Sequence, residues 1–333
     1  MGPDLIFKQQ RIEIRSHLTS SYRTEIEKDA YRGLTSEQKF IPSKYFYDKR
    51  GSKLFKQICS LPEYYPTRTE MTILDRAAPE IMAYFEKGDI VELGSGANQK
   101  IRMFLDAAGK DKLKNLRYVP VDVSETALVE ASEELLEIYH GLEVLGIVAD
   151  FTIHMDEVPS DRPRLIMFLG STIGNFDDAK RKKFLKCVAD SMKQQDRFIV
   201  GFDMLKPKKA LEAAYNDSRG ITSKFNKNVL NVFNRELNAD FEPSHFGHLA
   251  FFDEVKGRVE MHLRAKQDTE INIGDLDLVV KIDKDETIHT EVCRKFSRTG
   301  VEEMVSEAGL AVSRWFFDDR KWFSLVELEI IKY

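Results

Sequence analysis

The chain has 333 residues, of which 42% are hydrophobic and 32% are charged, and its formal net charge at pH 7 is −5. This balance is typical of a globular protein with one large or two smaller domains. The acidic net charge argues against a nucleic-acid-binding surface, which usually needs an excess of basic residues. Cys59, Cys187 and Cys293 are far apart in the sequence and show no CxxC spacing, so we expect neither a disulfide framework nor a metal site.

The sequence carries no sign of export or of membrane insertion. Its first residues, MGPDLIFKQQRIEIR, lack the apolar core of a signal peptide, and no apolar run approaches the length of a membrane span. We therefore expect a cytoplasmic protein that binds neither membranes nor nucleic acid, and we expect it to be a monomer.

A strongly aromatic stretch covers residues 40–70, FIPSKYFYDKRGSKLFKQICSLPEYYPTRTE. Its Pro and Gly residues break it too often for one helix or strand, and a packed core would favour Leu, Ile and Val over so many phenols. The pattern predicts a wall or lid over a small polar ligand. The alternative is a surface loop that aromatic packing holds in place.

Residues 89–205 alternate between strand-like and helix-like segments. The predicted strands are DIVELGSG (89–96), RYVPVDVS (117–124), LEVLGIVADF (142–151), RLIMFLGSTIGNF (164–176) and DRFIVGFDML (196–205). This alternation predicts a parallel sheet with crossover helices. After residue 205 the pattern changes to segments such as HLAFFDEV, RVEMHLRAKQ and DLDLVVKI, which predict a separate and largely antiparallel piece. A helix at 297–310 then leads to two final strands that predict a hairpin closing the first sheet.

Three acids mark the ends of the first three predicted strands: Glu92, Asp122 and Asp150. In an open parallel sheet, a ligand lies over the carboxyl ends of the strands. Asp122, at the end of the second strand, can accept hydrogen bonds from a ribose diol. Asp150, at the end of the third strand and followed by Phe151, can accept from an adenine amine while the phenylalanine covers the ring. Gly94 gives the tight turn after the first strand. Because there is no lysine loop of the P-loop type, a nucleoside cofactor without phosphates fits best, and S-adenosylmethionine (SAM) is such a cofactor.

Two other interpretations of these residues remain open. Acids that precede helices often cap them, so the three carboxylates are also consistent with ordinary N-caps. An NAD-linked oxidoreductase is disfavoured, because Gln99 stands where the dinucleotide fingerprint has its third glycine. A sheet that ends in an antiparallel hairpin favours a methyltransferase over a dehydrogenase.

We therefore predict an α/β fold, with a Rossmann-like SAM methyltransferase sheet and an inserted α+β substrate-binding domain. The SAM-binding domain is predicted at residues 69–205 and 295–333. The substrate-binding domain is predicted at residues 10–68 and 206–294.

Several motifs together resemble one known family. The segments KYFYDKRGSKLF, LPEYYPTRTE, ELGSGANQK, FLGSTIGNF, FNKNVLNVFNREL, VEMHLRA and TEVCRKF look like those of the histidine-specific, SAM-dependent Nα-methyltransferases of ergothioneine biosynthesis. The resemblance extends from about Gly33 to Glu329. It implies trimethylation of the α-amine of L-histidine, which gives the betaine hercynine. A branch of the family acts on prenylated tryptophan, so a tryptophan derivative is the alternative substrate.

The resemblance also implies roles for individual residues. Tyr47 matches a position beside the reacting α-amine, which makes it the candidate catalytic residue, and Asn175 and Tyr215 match positions that bind the carboxylate end of the amino acid. Positions on the imidazole side are matched by Tyr64, Met261, Glu291 and Cys293. The cofactor-binding matches are Gly94, Lys100, Asp122, Asp150, Phe151 and Gly170.

Cys293 departs from the family pattern, which has serine at this position, and a thiol is a weak donor and acceptor. Without the resemblance, the sequence pattern predicts that Glu291 is a surface acid and that Met261 is a core residue. A protein that binds SAM without catalysis is a further alternative. The intact set Tyr47, Tyr64, Asn175 and Tyr215 argues against it.

Overall fold

The computed structural model describes residues 4–9, 11–18, 22–96 and 98–331. The chain divides into two compact units. The first comprises Met1–Thr19, Thr69–Met204 and Phe296–Tyr333, and the second comprises Ser20–Arg68 and Leu205–Lys295. Within the described residues, no helix has the length and apolar character that crossing a membrane requires.

The first unit is built on a nine-stranded sheet in the order β1-β2-β5-β4-β3-β6-β7-β14-β13. Its strands are β1 (Asp4–Gln9), β2 (Ile12–Ser16), β3 (Gly88–Leu93), β4 (Leu116–Asp122), β5 (Glu143–Val148), β6 (Arg164–Phe168), β7 (Arg197–Asp203), β13 (Leu310–Phe317) and β14 (Phe323–Ile330). The run from β2 to β7 is parallel, and β14 pairs antiparallel with both β7 and β13. The predicted α/β fold and its closing hairpin are confirmed.

Helices connect the strands of this sheet. They are α3 (Tyr65–Tyr84), α4 (Gln99–Ala108), α5 (Lys110–Leu113), α6 (Glu125–Ile138), α7 (Asp178–Ser191) and α10 (Arg298–Glu307); residues 65–68 of α3 belong to the second unit. The inner strands are buried along nearly their whole length, which explains their almost continuous apolar sequence. Chain order reverses at β3, which has β4 on one side and β6 on the other, and ligands of such sheets bind at this switch point.

The N-terminal segment differs from the prediction. The predicted substrate-binding domain includes residues 10–68, but β2 pairs in parallel with β5, in the sheet of the first unit. The side chains of Ile12 and Ile14 are buried in the core of that unit. The short alternating pattern of β2 did not reveal this partner, because the pairing joins residues far apart in the sequence.

Among its described residues, the second unit combines four α-helices with two small antiparallel sheets. The helices are α1 (Tyr22–Leu34), α2 (Lys49–Cys59), α8 (Lys208–Tyr215) and α9 (Ile221–Leu237). A three-stranded sheet has the order β12 (Thr287–Arg294), β9 (Arg258–Ala265) and β8 (Phe246–Asp253), and a hairpin joins β10 (Thr269–Ile273) to β11 (Leu278–Ile282). Helix α9 packs against α2 and against strands β8 and β9. The antiparallel character predicted for this region is confirmed.

A buried ion pair holds the start of β6 in the first unit. The Arg164 side chain donates to Asp196 at 2.7 and 3.0 Å, and both side chains are essentially inaccessible to solvent. The Asp196 carboxylate also accepts the backbone N–H groups of Arg164 and Lys193, each at 2.8 Å. One carboxylate therefore organises the entry to two neighbouring strands.

We expect Asp196→Ala to destabilise the first unit by about 3–5 kcal/mol, because it leaves a buried guanidinium and two backbone donors unpaired. Lys186→Ala, which removes an exposed ion pair with Asp190, is the matched control and should cost less than about 1 kcal/mol. Urea denaturation of both variants measures the difference. Equal midpoints for the two variants would contradict this account of the Arg164–Asp196 pair.

Candidate cofactor and substrate sites

The chain turns sharply after β3 at Gly94, whose φ of +70° lies in the left-handed region that favours glycine. Its N–H donates to the Val121 carbonyl at 2.8 Å. A Cβ placed on Gly94 would lie 3.5 Å from the Phe151 ring. The glycine turn and the segment after β5 are therefore adjacent, as the sequence predicted from their positions at strand ends.

The three strand-end acids have different surroundings. Glu92 is buried and accepts the Tyr118 hydroxyl at 2.5 Å, and burial raises the pKa of its carboxyl to about 7. Asp122 accepts the Ser124 N–H at 3.0 Å, and burial raises its pKa to about 6. Asp150 accepts both the N–H and the hydroxyl of Thr152, at 2.9 and 2.6 Å. Asp122 and Asp150 thus hold the turns that follow them, as the capping alternative expected, and this does not exclude a ligand.

Glu70, which the sequence analysis did not single out, connects two predicted cofactor residues. Its buried carboxylate lies 2.7 Å from the Lys100 ammonium and accepts the Gly170 N–H at 2.6 Å. Gly170 has a φ of +80°, and a Cβ there would lie 3.1 Å from the Lys100 ammonium. The ion pair therefore fixes the loop after β6 against the start of α4. Asn175 ends the turn Thr172–Asn175 in this loop, in the first unit.

The second unit contains a cluster of aromatic rings, which come from residues 47–64 and from helices α8 and α9. Tyr47 contacts Phe55 and Phe225 with ring centroids 5.4 and 5.6 Å apart, and Tyr64 contacts Phe55 and Tyr215 at 6.2 and 6.4 Å. Tyr45, Phe46 and Tyr65, in the same aromatic stretch, are buried. The five rings in contact with one another, called the aromatic wall below, form one connected cluster, and their role in covering a ligand remains a prediction.

Local capping fixes the backbone at Tyr47. Asp48 caps α2 by accepting the Gly51 N–H at 2.8 Å, and the same carboxylate oxygen accepts the Asn228 amide at 2.8 Å. Only glycine fits at position 51, because a Cβ there would lie 1.6 Å from the Phe46 carbonyl oxygen. These contacts explain the spacing within the segment KYFYDKRG.

An arginine fixes the turn that carries Tyr64. The Arg68 guanidinium donates to the Tyr64 carbonyl at 3.1 Å and to the Pro62 carbonyl at 2.7 Å. Glu63 in the same turn accepts the Ser218 hydroxyl at 2.7 Å, a short distance along the chain from Tyr215. Hydrogen bonds therefore fix the turn formed by the segment EYYPTR, and this turn sets the position of Tyr64.

Strand β12 carries the polar groups near this wall. A β-bulge interrupts its pairing with β9 between His289 and Glu291, and Glu291 lies opposite Met261. The Lys295 ammonium, 3% exposed, lies 3.1 Å from the Cys293 sulfur and donates to the Tyr215 hydroxyl at 3.2 Å. The structure therefore brings together most of the predicted substrate residues, with Asn175 in the other unit. It adds Lys295, which the sequence analysis missed.

Burial sets the protonation of these groups. It raises the pKa of Glu291 to about 7, against the opposing effect of the Lys295 ammonium. Although 45% of the Tyr47 surface is exposed, burial of its hydroxyl, helped by Glu291, raises the pKa of this phenol well above its ordinary value. The pKa of Tyr64 is raised in the same way by burial and, to a smaller extent, by Cys59. Both phenols are therefore neutral donors near neutral pH.

Among the described residues, one group of metal-ligating side chains lies together: Glu260, His262 and His289. The Glu260 carboxylate already accepts from Arg258 at 2.8 Å and from His262 at 3.0 Å. The two imidazole rings are tilted by 32° with centroids 4.8 Å apart, and the atoms that could bind a metal in the three side chains lie within 4.8 Å of one another. A His289 ring nitrogen lies 3.0 Å from the Glu291 carbonyl oxygen. Because the Glu260 carboxylate and His289 are thus already bonded within the protein, we assign this group a structural role.

Comparison with known proteins decides the family. Residues 26–330 match the family described as "Histidine-specific methyltransferase, SAM-dependent". The chain belongs to this family. The Histidine N-alpha-methyltransferase of Mycobacterium tuberculosis is 40% identical over 316 residues, which cover 95% of this chain and 98% of that protein. Ergothioneine biosynthesis protein 1 of Neurospora crassa is 29% identical over 92% of this chain and 34% of that protein. An L-tryptophan methyltransferase of Psilocybe serbica is 26% identical over 86% of this chain and 87% of that protein.

The methyltransferase uses SAM, and the groups at the switch point fit this cofactor. Gly94 and Gly170 have positive φ angles and carry no side chain, so a ligand can approach the backbone closely there. The carboxylate of Asp122 suits a ribose diol. The Lys100 ammonium is already paired with Glu70, so this lysine is not held ready for a phosphate. The assignment of individual cofactor contacts to Gly94, Lys100, Asp122, Asp150, Phe151 and Gly170 remains a prediction.

Two missed residues lay within motifs that the sequence analysis quoted. Glu70 is the last residue of LPEYYPTRTE, and Lys295 lies in TEVCRKF, two residues after Cys293. Strand periodicity of two could have drawn attention to Lys295, since residues 291, 293 and 295 share one side of an extended chain. No comparable signal marks Glu70, because its partners are far away in the sequence.

We predict that Asp122→Ala weakens SAM binding by about 1–3 kcal/mol, because the ribose hydroxyls lose a charged acceptor. Asp106→Ala is the control, since Asp106 accepts a tyrosine hydroxyl at 2.7 Å elsewhere in the same unit. Titration calorimetry with SAM compares the two variants with the wild type. Unchanged SAM affinity in Asp122→Ala would contradict the ribose assignment, and loss of activity after chelator treatment would contradict the expectation of a metal-free enzyme.

Proposed function

We propose that this methyltransferase transfers three methyl groups from SAM to the α-amine of L-histidine and so forms hercynine, a step of ergothioneine biosynthesis. The observation that carries the proposal is the grouping of Glu291, Cys293 and Lys295 with neutral phenols in the second unit. Such a set suits an amino acid with a polar, hydrogen-bonding side chain. The high identity to a histidine N-alpha-methyltransferase supports the same substrate. We further propose that the enzyme acts as a monomer in the cytoplasm.

The chemistry demands alignment more than proton transfer. SAM supplies a methyl group on a sulfonium, which is a good leaving group, so the protein mainly orients the nucleophile. The amine must be neutral to react, and an apolar pocket disfavours its ammonium form. The raised pKa of Tyr47 keeps its phenol protonated, so its role is to orient the amine through a hydrogen bond or a water molecule, and not to act as a phenolate base.

The aromatic wall suits the product as well as the substrate. Each methyl transfer makes the nitrogen bulkier, and the third leaves a permanent positive charge. Aromatic faces attract quaternary ammonium groups by about 0.5–2 kcal/mol per favourable contact. Tyr47, Tyr64 and their neighbouring phenylalanines thus offer surroundings that tolerate the charge at every stage and exclude water.

We assign the two ends of the amino acid to different groups. Asn175 and Tyr215 bind the carboxylate end. The imidazole is recognised by Glu291, which accepts its N–H, with Tyr64 on its other side and Met261 and Cys293 beside it. An imidazole offers one donor and one acceptor, so leaving either partner unpaired in a buried site costs about 1–3 kcal/mol and produces discrimination.

A tryptophan derivative is the second candidate substrate, supported by the more distant identity to an L-tryptophan methyltransferase. An indole offers one donor and no acceptor, so it uses fewer of the polar groups around Cys293 and Lys295. We therefore rank it below histidine.

Incubation of the protein with SAM and a mixture of the twenty amino acids, followed by mass spectrometry, tests the proposal. We expect mono-, di- and trimethylated histidine, with the trimethylated form accumulating, since each intermediate retains the same carboxylate and imidazole contacts. Fragmentation should place all three methyl groups on the α-nitrogen. Methylation of tryptophan in preference to histidine would establish the alternative.

Glu291 should control the choice of substrate. We expect Glu291→Ala to lower kcat/KM for histidine by about 10- to 100-fold, because the imidazole N–H loses its buried acceptor, and to have a much smaller effect on tryptophan. A competition assay with both amino acids measures the ratio.

Cys293→Ser is the companion variant, since it introduces the hydroxyl found in the family in a side chain of nearly equal size. It should keep or improve the affinity for histidine. If Glu291→Ala leaves histidine turnover intact, the imidazole-recognition hypothesis is wrong.

A further inference from the structure

Lys295 is a buried cation, and its partners include two groups of the proposed substrate pocket. Its ammonium donates to the Tyr215 hydroxyl at 3.2 Å, lies 3.1 Å from the Cys293 sulfur, and stands 5.0 Å from the centroid of the Tyr215 ring. Only 3% of the residue is exposed, and its backbone N–H is fixed by the Gly257 carbonyl at 2.8 Å. Burying an ammonium is costly unless nearby groups stabilise it, so the contacts of Lys295 with Tyr215 and Cys293 constrain both the lysine and these groups.

We propose that Lys295 is a positioning residue of the amino-acid pocket, which orients the Tyr215 hydroxyl toward the substrate carboxylate and keeps Glu291 ionised to accept the imidazole N–H. This inference rests on the proposed histidine methyltransferase function and deepens it. One ammonium thus acts on the groups that bind the carboxylate of the substrate and on those that bind its imidazole.

The orienting effect on Tyr215 follows from the hydrogen bonds that a phenol can donate and accept. A tyrosine hydroxyl has one proton to donate and lone pairs that accept. Because Lys295 has no acceptor, the Tyr215 oxygen must accept from it, and the hydroxyl proton is directed elsewhere. Accepting a bond from a cation also strengthens the hydroxyl as a donor. Tyr215 therefore presents a polarised O–H, which suits a carboxylate.

The electrostatic effect concerns Glu291. Residues 291, 293 and 295 lie on one side of the extended chain, and the Lys295 ammonium lies 3.1 Å from the sulfur of Cys293, the middle residue of the three. Burial raises the pKa of the Glu291 carboxyl to about 7, and the Lys295 ammonium opposes the rise. Among the described residues, the titratable groups near Glu291 include Tyr47 before α2, Tyr64 before α3, and Cys293 and Lys295 on β12 and just after it. The raised pKa values of both phenols keep them neutral near pH 7. Without Lys295, the carboxylate form of Glu291 would be confined to higher pH.

Lys295→Met removes the charge while keeping a side chain of similar length. We expect its KM for histidine to rise about 10- to 100-fold, because a charge-assisted hydrogen bond and the acceptor state of Glu291 are both weakened. The acid limb of its kcat/KM profile should move to higher pH by about one unit. The titrations of histidine itself are common to both enzymes, so they cancel when the variant is compared with the wild type.

Three further variants separate the two effects. Lys295→Gln keeps a donor for Tyr215 without the charge, so it should show the shifted acid limb with a smaller rise in KM. Lys295→Arg keeps the charge and should restore the position of the acid limb. In the Glu291→Gln background, Lys295→Met should no longer move the acid limb, because the titrating carboxyl is absent.

Lys206→Met is the matched control. Lys206 also donates to a tyrosine hydroxyl in the second unit, at 2.9 Å from Tyr65, with its ammonium 4.2 Å from the ring centroid. We expect this variant to keep the wild-type KM and pH profile. SAM affinity by calorimetry and thermal denaturation establish that each variant is folded; if Lys295→Met does not fold, the Gln variant still tests the effect of charge.

The outcomes distinguish this inference from the function on which it rests. If the wild type does not methylate histidine, the proposed function fails. If the wild type methylates histidine and both uncharged variants keep its KM and its pH profile, the role of Lys295 alone is overturned. A fall in kcat with no change in KM or in the acid limb would also overturn it.

Discussion

The second unit depends on how β12 is held against its neighbours. The bulge between His289 and Glu291 adds a residue to β12, and such an insertion redirects the side chains that follow it. Thr290 at the bulge is buried, and its hydroxyl lies 2.7 Å from the Asn226 amide oxygen and donates to the Met261 carbonyl at 3.0 Å. The other edge of β12 pairs with residues 39–41. A strand fixed on both edges and at its bulge gives Glu291, Cys293 and Lys295 little freedom to move.

A comparable constraint operates in the first unit, where Glu70 holds Lys100 and the Gly170 N–H together. A buried carboxylate with one ion pair and one backbone donor is costly to rearrange, since each group it releases would be left unpaired. The loop after β6 and the start of α4 are thereby held in place before any ligand arrives. Preorganisation of this kind reduces the ordering that binding must offset.

The two units also share an electrostatic principle. Each contains a carboxyl whose pKa is raised toward neutrality by burial, Glu92 in the first unit and Glu291 in the second, and each has a lysine that opposes the rise. A methyltransferase that handles a cationic cofactor and produces a cationic product gains from anionic groups of this kind. Each carboxyl titrates near neutral pH, where its lysine neighbour favours the charged form, and burial makes that interaction stronger than it would be in water.

Local sequence patterns are sufficient to predict the parallel sheet and the family. The apolar runs of β3 to β7 and the closing hairpin are local patterns, and motifs such as EYYPTR and GSTIGN are short and specific. The tertiary structure alone decided three other features. It placed β2 beside β5, joined Glu70 to Lys100 and Gly170, and brought Lys295 to Tyr215. Each is a contact between residues far apart in the chain, so no local periodicity records it. The position of a buried charge is decided only when the fold supplies the partners that make its burial possible.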